Sequence, residues 1–67
     1  MDIYFNGDLT NISENLKLES FLHLHQLDDK KGLAVAVNNQ VIPKKSWDEY
    51  ILTDNDKVLV IKASQGG

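Results

Sequence analysis

The stretch Val58-Leu59-Val60-Ile61 is apolar at four successive positions, with Lys57 before it and Lys62 after it. Four residues are too few for a buried helix, and a strand apolar on both faces belongs in the middle of a sheet. Because this strand ends the folded part of the chain, the earlier elements have to be arranged around it. The residues before it show how.

Met1, Ile3 and Phe5 alternate with Asp2, Tyr4 and Asn6, which reads as a half-buried strand. Asn6-Gly7 supplies the positive-φ residues of a tight hairpin turn, and Leu9 to about Ile12 returns as a second strand. The period then changes. Leu18, Phe21, Leu22 and His25 follow i, i+3, i+4, i+7, which predicts a helix from about Lys17 to Leu27. Glu19 near its start and Lys30-Lys31 beyond its end suit the helix dipole, and Gly32 offers the break. Leu33–Val37 reads as a third strand, Asn38-Asn39 as a turn, and Val41-Ile42 as a short strand that Pro43, lacking an N–H, ends. In "KKSWDEYIL" we expect one helical turn carrying Trp47, Tyr50 and Ile51 inward; "TDNDK" is a turn before the strand Lys57–Ala63. The fold class is therefore α+β, in the order β-β-α-β-β-β: a mixed five-stranded sheet with one main helix across one face, and the last strand parallel to the first at its centre.

A chain of 67 residues makes one domain, and a domain this small buries only about 60% of its unfolded surface. We expect the domain to occupy residues 1–63 and a flexible tail residues 64–67. Apolar content of 42% with 25% charged residues is that of a globular domain, and the lack of cysteine excludes disulfides, thiolate metal sites and a cysteine nucleophile. No apolar run reaches the roughly 20 residues that span a bilayer, and "MDIYFNGD" has no signal core, so the expectation is a cytoplasmic protein with no membrane partner. Ten acidic against seven basic residues leave a net charge of −3 with no basic stripe, which argues against nucleic acid.

Candidate chemistry within the domain is sparse. His23 and His25 stand about 200° apart on a helix and cannot share a metal; we expect His25 to be partly buried and His23 solvated. Asp54 and Asp56 lack the glycine and glutamate of a calcium loop and read as a polar turn. Trp47 and Tyr50 read as core fillers, and no nucleophile, base and acid can be grouped. With Val35, Val37, Val58 and Val60 placed beneath the helix, Ala34, Ala36, Leu59 and Ile61 fall on the open face of the sheet, as a small apolar patch for docking a partner.

The ending "KVLVIKASQGG" is the remaining feature. Two glycines follow a core strand after only Ser64 and Gln65. Without a β-carbon at Gly66 or Gly67, such an end can thread a narrow channel.

Taken together, "NG" at Asn6-Gly7, the helix core Leu18, Phe21 and Leu22, "AVAVNNQVIP" followed by Trp47, "DNDKVLVI" and Gly66-Gly67 resemble the ThiS family of sulfur carriers in thiamin biosynthesis, which have the ubiquitin-like β-grasp fold. The resemblance covers the whole chain. Lys17 stands where the family often has Thr, and Asn55 where it often has Gly, which weakens a helix cap and puts Asn at a left-handed position. The resemblance implies a carrier and co-substrate rather than an enzyme, monomeric when free and holding no cofactor. A ThiF-like adenylating enzyme would use ATP and Mg to activate the Gly67 carboxylate. A sulfur donor system such as a cysteine desulfurase would supply the sulfur of a Gly67 thiocarboxylate. A ThiG-like thiazole synthase would receive it, with Ser64, Gln65 and Gly66 threading the partner active sites. A carrier for molybdopterin or transfer-RNA thiolation, a ubiquitin-like modifier, and a module that only binds share much of this pattern and remain open at this point.

Overall fold

Asn6 and Gly7 hold φ of 49° and 87°, the pair of left-handed conformations that a type I′ hairpin needs. Gly7 meets nothing within 4 Å of where a Cβ would sit, so conformation rather than space calls for glycine there. The turn joins β1 (Asp2–Phe5) to β2 (Asp8–Asn11) in antiparallel register, Tyr4 opposite Leu9. The same device recurs at Asn38 and Asn39, φ 53° and 69°, between β3 (Leu33–Val37) and the two-residue β4 (Gln40–Val41). β5 (Lys57–Lys62) lies between the two hairpins, parallel to β1 and antiparallel to β3. The computed structural model describes residues 1–28 and 32–62, and within them the sheet order is β2-β1-β5-β3-β4. This is the β-grasp arrangement read from the sequence, with the doubly apolar strand at its centre.

The helix α1 (Leu18–Leu24) is shorter than the periodicity suggests. Gln26 turns left-handed at φ 59°, and the Leu27 N–H donates back to the Leu22 carbonyl at 2.8 Å, closing the last turn in a Schellman-type motif. Glycine usually occupies such a site, so glutamine left no mark in the sequence. At the other end Lys17 makes no side-chain cap bond. The segment after β4 does that work: the Leu18 N–H donates to the Tyr50 carbonyl at 2.8 Å and the Glu19 N–H to that of Trp47 at 3.0 Å.

That segment is a 3₁₀ turn at Lys44–Ser46 that runs on as turn through residues 47–49, the Tyr50 N–H donating to the Ser46 carbonyl at 3.0 Å, before the chain extends at Ile51. Trp47 is buried and its indole N–H donates to the Ile42 carbonyl at 2.9 Å. Ile51, expected inward, is instead half exposed, and Leu52 enters the core. The reason is the backbone: Ile51 bridges Lys17 and the Leu52 N–H donates to the Leu16 carbonyl, so chain there is extended and neighbours point apart.

The core lies between α1 and one face of the sheet, with Ile3, Phe21, Leu18, Leu22, Val35 and Val58 all nearly or wholly buried. Met1, Phe5 and Val60 pack against it partly buried. His25 differs from expectation: it is exposed at the helix end, its ring lying 4.8 Å from Phe5 and 4.7 Å from Phe21. His23 is exposed, as expected, with Nδ1 2.9 Å from Asp28 Oδ2.

Candidate functional site

The site has two parts, a face and an end. Gly66 and Gly67, with Ala63, Ser64 and Gln65, lie outside the described residues, so the structure defines the strand that leads to them and the surface beside it.

The register of β3 against β5 settles the face. Ala34 pairs with Ile61 and Ala36 with Leu59, so these four side chains stand together on the side away from the helix. Leu59 is 47% and Ile61 53% exposed, while their neighbours Val58 and Val35 are buried. The sequence had placed these four residues on one face, and the structure brings them together.

Three more residues of that face were missed. Val41 pairs with Ala36 and Leu9 with Tyr4, extending the apolar surface across all five strands. Leu9 is 63% and Val41 68% exposed, and Tyr4 lines a shallow depression of about 290 Å³ with Asn6, Ala36, Asn39 and Leu59. The sequence signal was there in part: Tyr4 alternates with Ile3 and Phe5, so it had to face away from the helix. Leu9 and Val41 sit in strands of four and two residues, too short for alternation to assign them.

The last turn before β5 is built around Asp56. This carboxylate is 5% exposed and accepts from the Thr53 N–H at 2.8 Å, the Thr53 hydroxyl at 3.0 Å and the Asn38 amide at 2.9 Å. It ties the Asn38-Asn39 hairpin to the start of β5, and thereby fixes where the strand begins. Asn55 beside it holds φ 69°, the left-handed position foreseen for it. Burial, and then the charge of Asp56, push the Tyr50 phenol above its usual range. From the other flank, Asn6 holds β5 by two bonds: its N–H donates to the Val58 carbonyl at 2.9 Å and its side-chain oxygen accepts from the Val60 N–H at 2.8 Å. "NG" therefore sets more than a hairpin; it anchors the strand that leads to the chain's end.

Among the described residues no group of three or more His, Cys, Asp or Glu side chains is placed to hold a metal, and no helix is long and apolar enough to cross a membrane. What the arrangement offers is a rigid sheet presenting an apolar surface, from whose central strand the chain runs on to two glycines.

Comparison with known proteins agrees with this geometry. The model of the ThiS family matches residues 3–67. The sulfur carrier protein ThiS of Escherichia coli is 31% identical over 68 residues, with both chains covered in full. A thiazole synthase of Paramagnetospirillum magneticum is 30% identical over 67 residues, a match that takes in this whole chain but 20% of that protein. The crystal structure of a thiamine biosynthesis protein (ThiS) from Geobacter metallireducens superposes with a TM-score of 0.86 over the full length of both chains, at 22% identity.

Proposed function

The chain belongs to the ThiS family, and from that premise we propose that it is the sulfur carrier of thiazole formation in thiamin biosynthesis, bearing sulfur as a thiocarboxylate on Gly67. The observation that carries this reading is the family match over residues 3–67, from within β1 through the glycine pair.

A carboxylate is a poor electrophile because its charge repels nucleophiles and oxide is a bad leaving group. A ThiF-like adenylating enzyme solves both problems. The Gly67 carboxylate attacks the α-phosphorus of ATP, with Mg assisting, and pyrophosphate leaves. Sulfur drawn from cysteine by a donor system such as a cysteine desulfurase arrives as a persulfide. Its outer sulfur attacks the acyl carbon, AMP leaves, and a thiol then cleaves the S–S bond of the acyl disulfide, releasing the Gly67 thiocarboxylate and a disulfide. Thiazole synthase consumes that sulfur. A segment similar to this whole chain within a protein named thiazole synthase supports that acceptor over molybdopterin or transfer RNA. In this scheme the chain is a co-substrate and catalyses nothing itself.

The physical demands on the chain follow. Ser64 to Gly67, fully extended, reach at most about 14 Å, enough to enter a channel while the domain stays outside. Ordering four residues there costs about 1–2 kcal/mol each, so the domain must offset it by docking. The open face supplies the contact: burying the exposed halves of Leu59 and Ile61 contributes about 1 kcal/mol each, with Ala34, Ala36, Tyr4 and Val41 around them. The test is to remove Gly67, or add one residue after it, and ask whether the chain still acquires sulfur from ATP, adenylating enzyme and donor. Loss of sulfur acquisition with an unchanged melting curve is the expected result. A truncated chain that still gains sulfur refutes the role given to Gly67.

A further inference from the structure

In a parallel pair, one residue of a strand bonds through its N–H and C=O to two alternate residues of its neighbour. Tyr4 begins this ladder, its N–H donating to the Asp56 carbonyl. Asn6 makes the next rung in altered form: its N–H reaches the Val58 carbonyl, but the Val60 N–H goes to the Asn6 side chain instead of its carbonyl. The Asn6-Gly7 turn then carries the chain away into β2.

β5 continues for two residues beyond that point. On its β3 side the strand stays paired, Ile61 with Ala34 and Lys62 with Leu33. The alternation of the ladder turns the backbone groups of Val58, Val60 and Lys62 toward the β1 side. The Val60 carbonyl and the Lys62 N–H therefore form one complete parallel rung that no strand among the described residues fills. A residue placed there would sit beside Ile61, and its side chain would lie on the same face as Ile61, which is 53% exposed.

We propose that Val60 and Lys62 take up an extended segment of thiazole synthase as a further strand, parallel to β5, through one residue with an apolar side chain set against Ile61. This proposal rests on the sulfur-carrier reading above. Its purpose is positional: the rung is the last of β5 and continuous with the apolar face, so pairing there holds the end of that strand against the partner. Main-chain pairing supplies the alignment and Ile61 the selection for an apolar neighbour.

Amide exchange of the ¹⁵N-labelled full chain reads this directly, free and in complex with thiazole synthase, with exchange quenched and the chain observed after dissociation. In the free chain the Lys62 amide exchanges at least tenfold faster than that of Ile61, which is paired to β3. In the complex the Lys62 amide slows by tenfold or more. Lys62→Pro, which removes the N–H, weakens binding about tenfold with an unchanged melting temperature, whereas Lys62→Ala, which keeps it, does not. Binding with Lys62 exchanging as fast as before, or Lys62→Pro binding like the parent, overturns the added strand and leaves the carrier reading standing. A thiocarboxylate that forms but finds no thiazole synthase to bind overturns both the strand and the acceptor.

Discussion

Replacing Asp56 with alanine removes the acceptor at the centre of the last turn, and the structure sets the size of the effect. Three donors lose their partner: the Thr53 N–H, the Thr53 hydroxyl and the Asn38 amide. Hydrogen bonds to a charged acceptor contribute about 1.5–3 kcal/mol each, but Thr53 and Asn38 are exposed and water can satisfy part of what they lose. The expected cost is about 2–4 kcal/mol. A chain of 67 residues has a total stability of about 3–10 kcal/mol, so this single change consumes a large share of it. Urea unfolding followed by the fluorescence of Trp47, the chain's one tryptophan, reads the result. With a slope of about 1 kcal/mol/M, the midpoint falls by about 2–4 M while the slope is unchanged. Asp56→Asn is the control. It keeps an oxygen for two donors but sets an NH₂ against the third, and loses about half as much. An alanine variant whose midpoint stays within about 0.5 M of the parent would refute the claim that this carboxylate organises the turn.

Tyr50 gives a prediction in pH. Burial, and then Asp56, raise the folded phenol above 10.0, so the unfolded chain ionises first; stability is intact below that pH and is lost as pH rises through it toward the folded value. Tyr50→Phe removes this loss, and its alkaline unfolding midpoint moves to higher pH; identical midpoints for parent and variant contradict the assignment. Ile61→Asp and Ala36→Asp each put a charge on the apolar face, at positions where the strand is already exposed or partly so. In the proposed scheme each weakens docking to a ThiF-like adenylating enzyme by about tenfold or more, from lost burial and a desolvated charge, with folding of the free domain retained. Unchanged affinity in both variants removes this face from the account.

How much of this was legible in the sequence depends on the range of each interaction. The central place of β5 was, because Val58 to Ile61 is apolar on both faces and only a central strand tolerates that. The open-face residues were legible in part: alternation sets Leu59 with Ile61 and Ala34 with Ala36, but both faces of β5 are apolar, so which set turns from the helix comes from the structure. Both asparagine turns were, because few other residues hold φ above zero. The misses have a common cause. Gln26 ends the helix at a site that glutamine seldom occupies, and Leu52 displaces Ile51 because residues 51 and 52 pair with the helix approach at Lys17 and Leu16. The bond from Asn38 to Asp56 and the grip of Asn6 on Val60 are contacts across 18 and 54 positions of sequence, and no local pattern announces them. The role read for the glycine pair falls on residues outside the described ones.

Sulfur on the last residue is the claim on which the functional account stands. The full chain, incubated with ATP, Mg, a ThiF-like adenylating enzyme and a cysteine desulfurase with cysteine, should gain the mass that separates sulfur from oxygen, and fragmentation should place the gain on Gly67. An intact mass that does not change under conditions where a known ThiS protein is converted, or a gain located anywhere else in the chain, would contradict it.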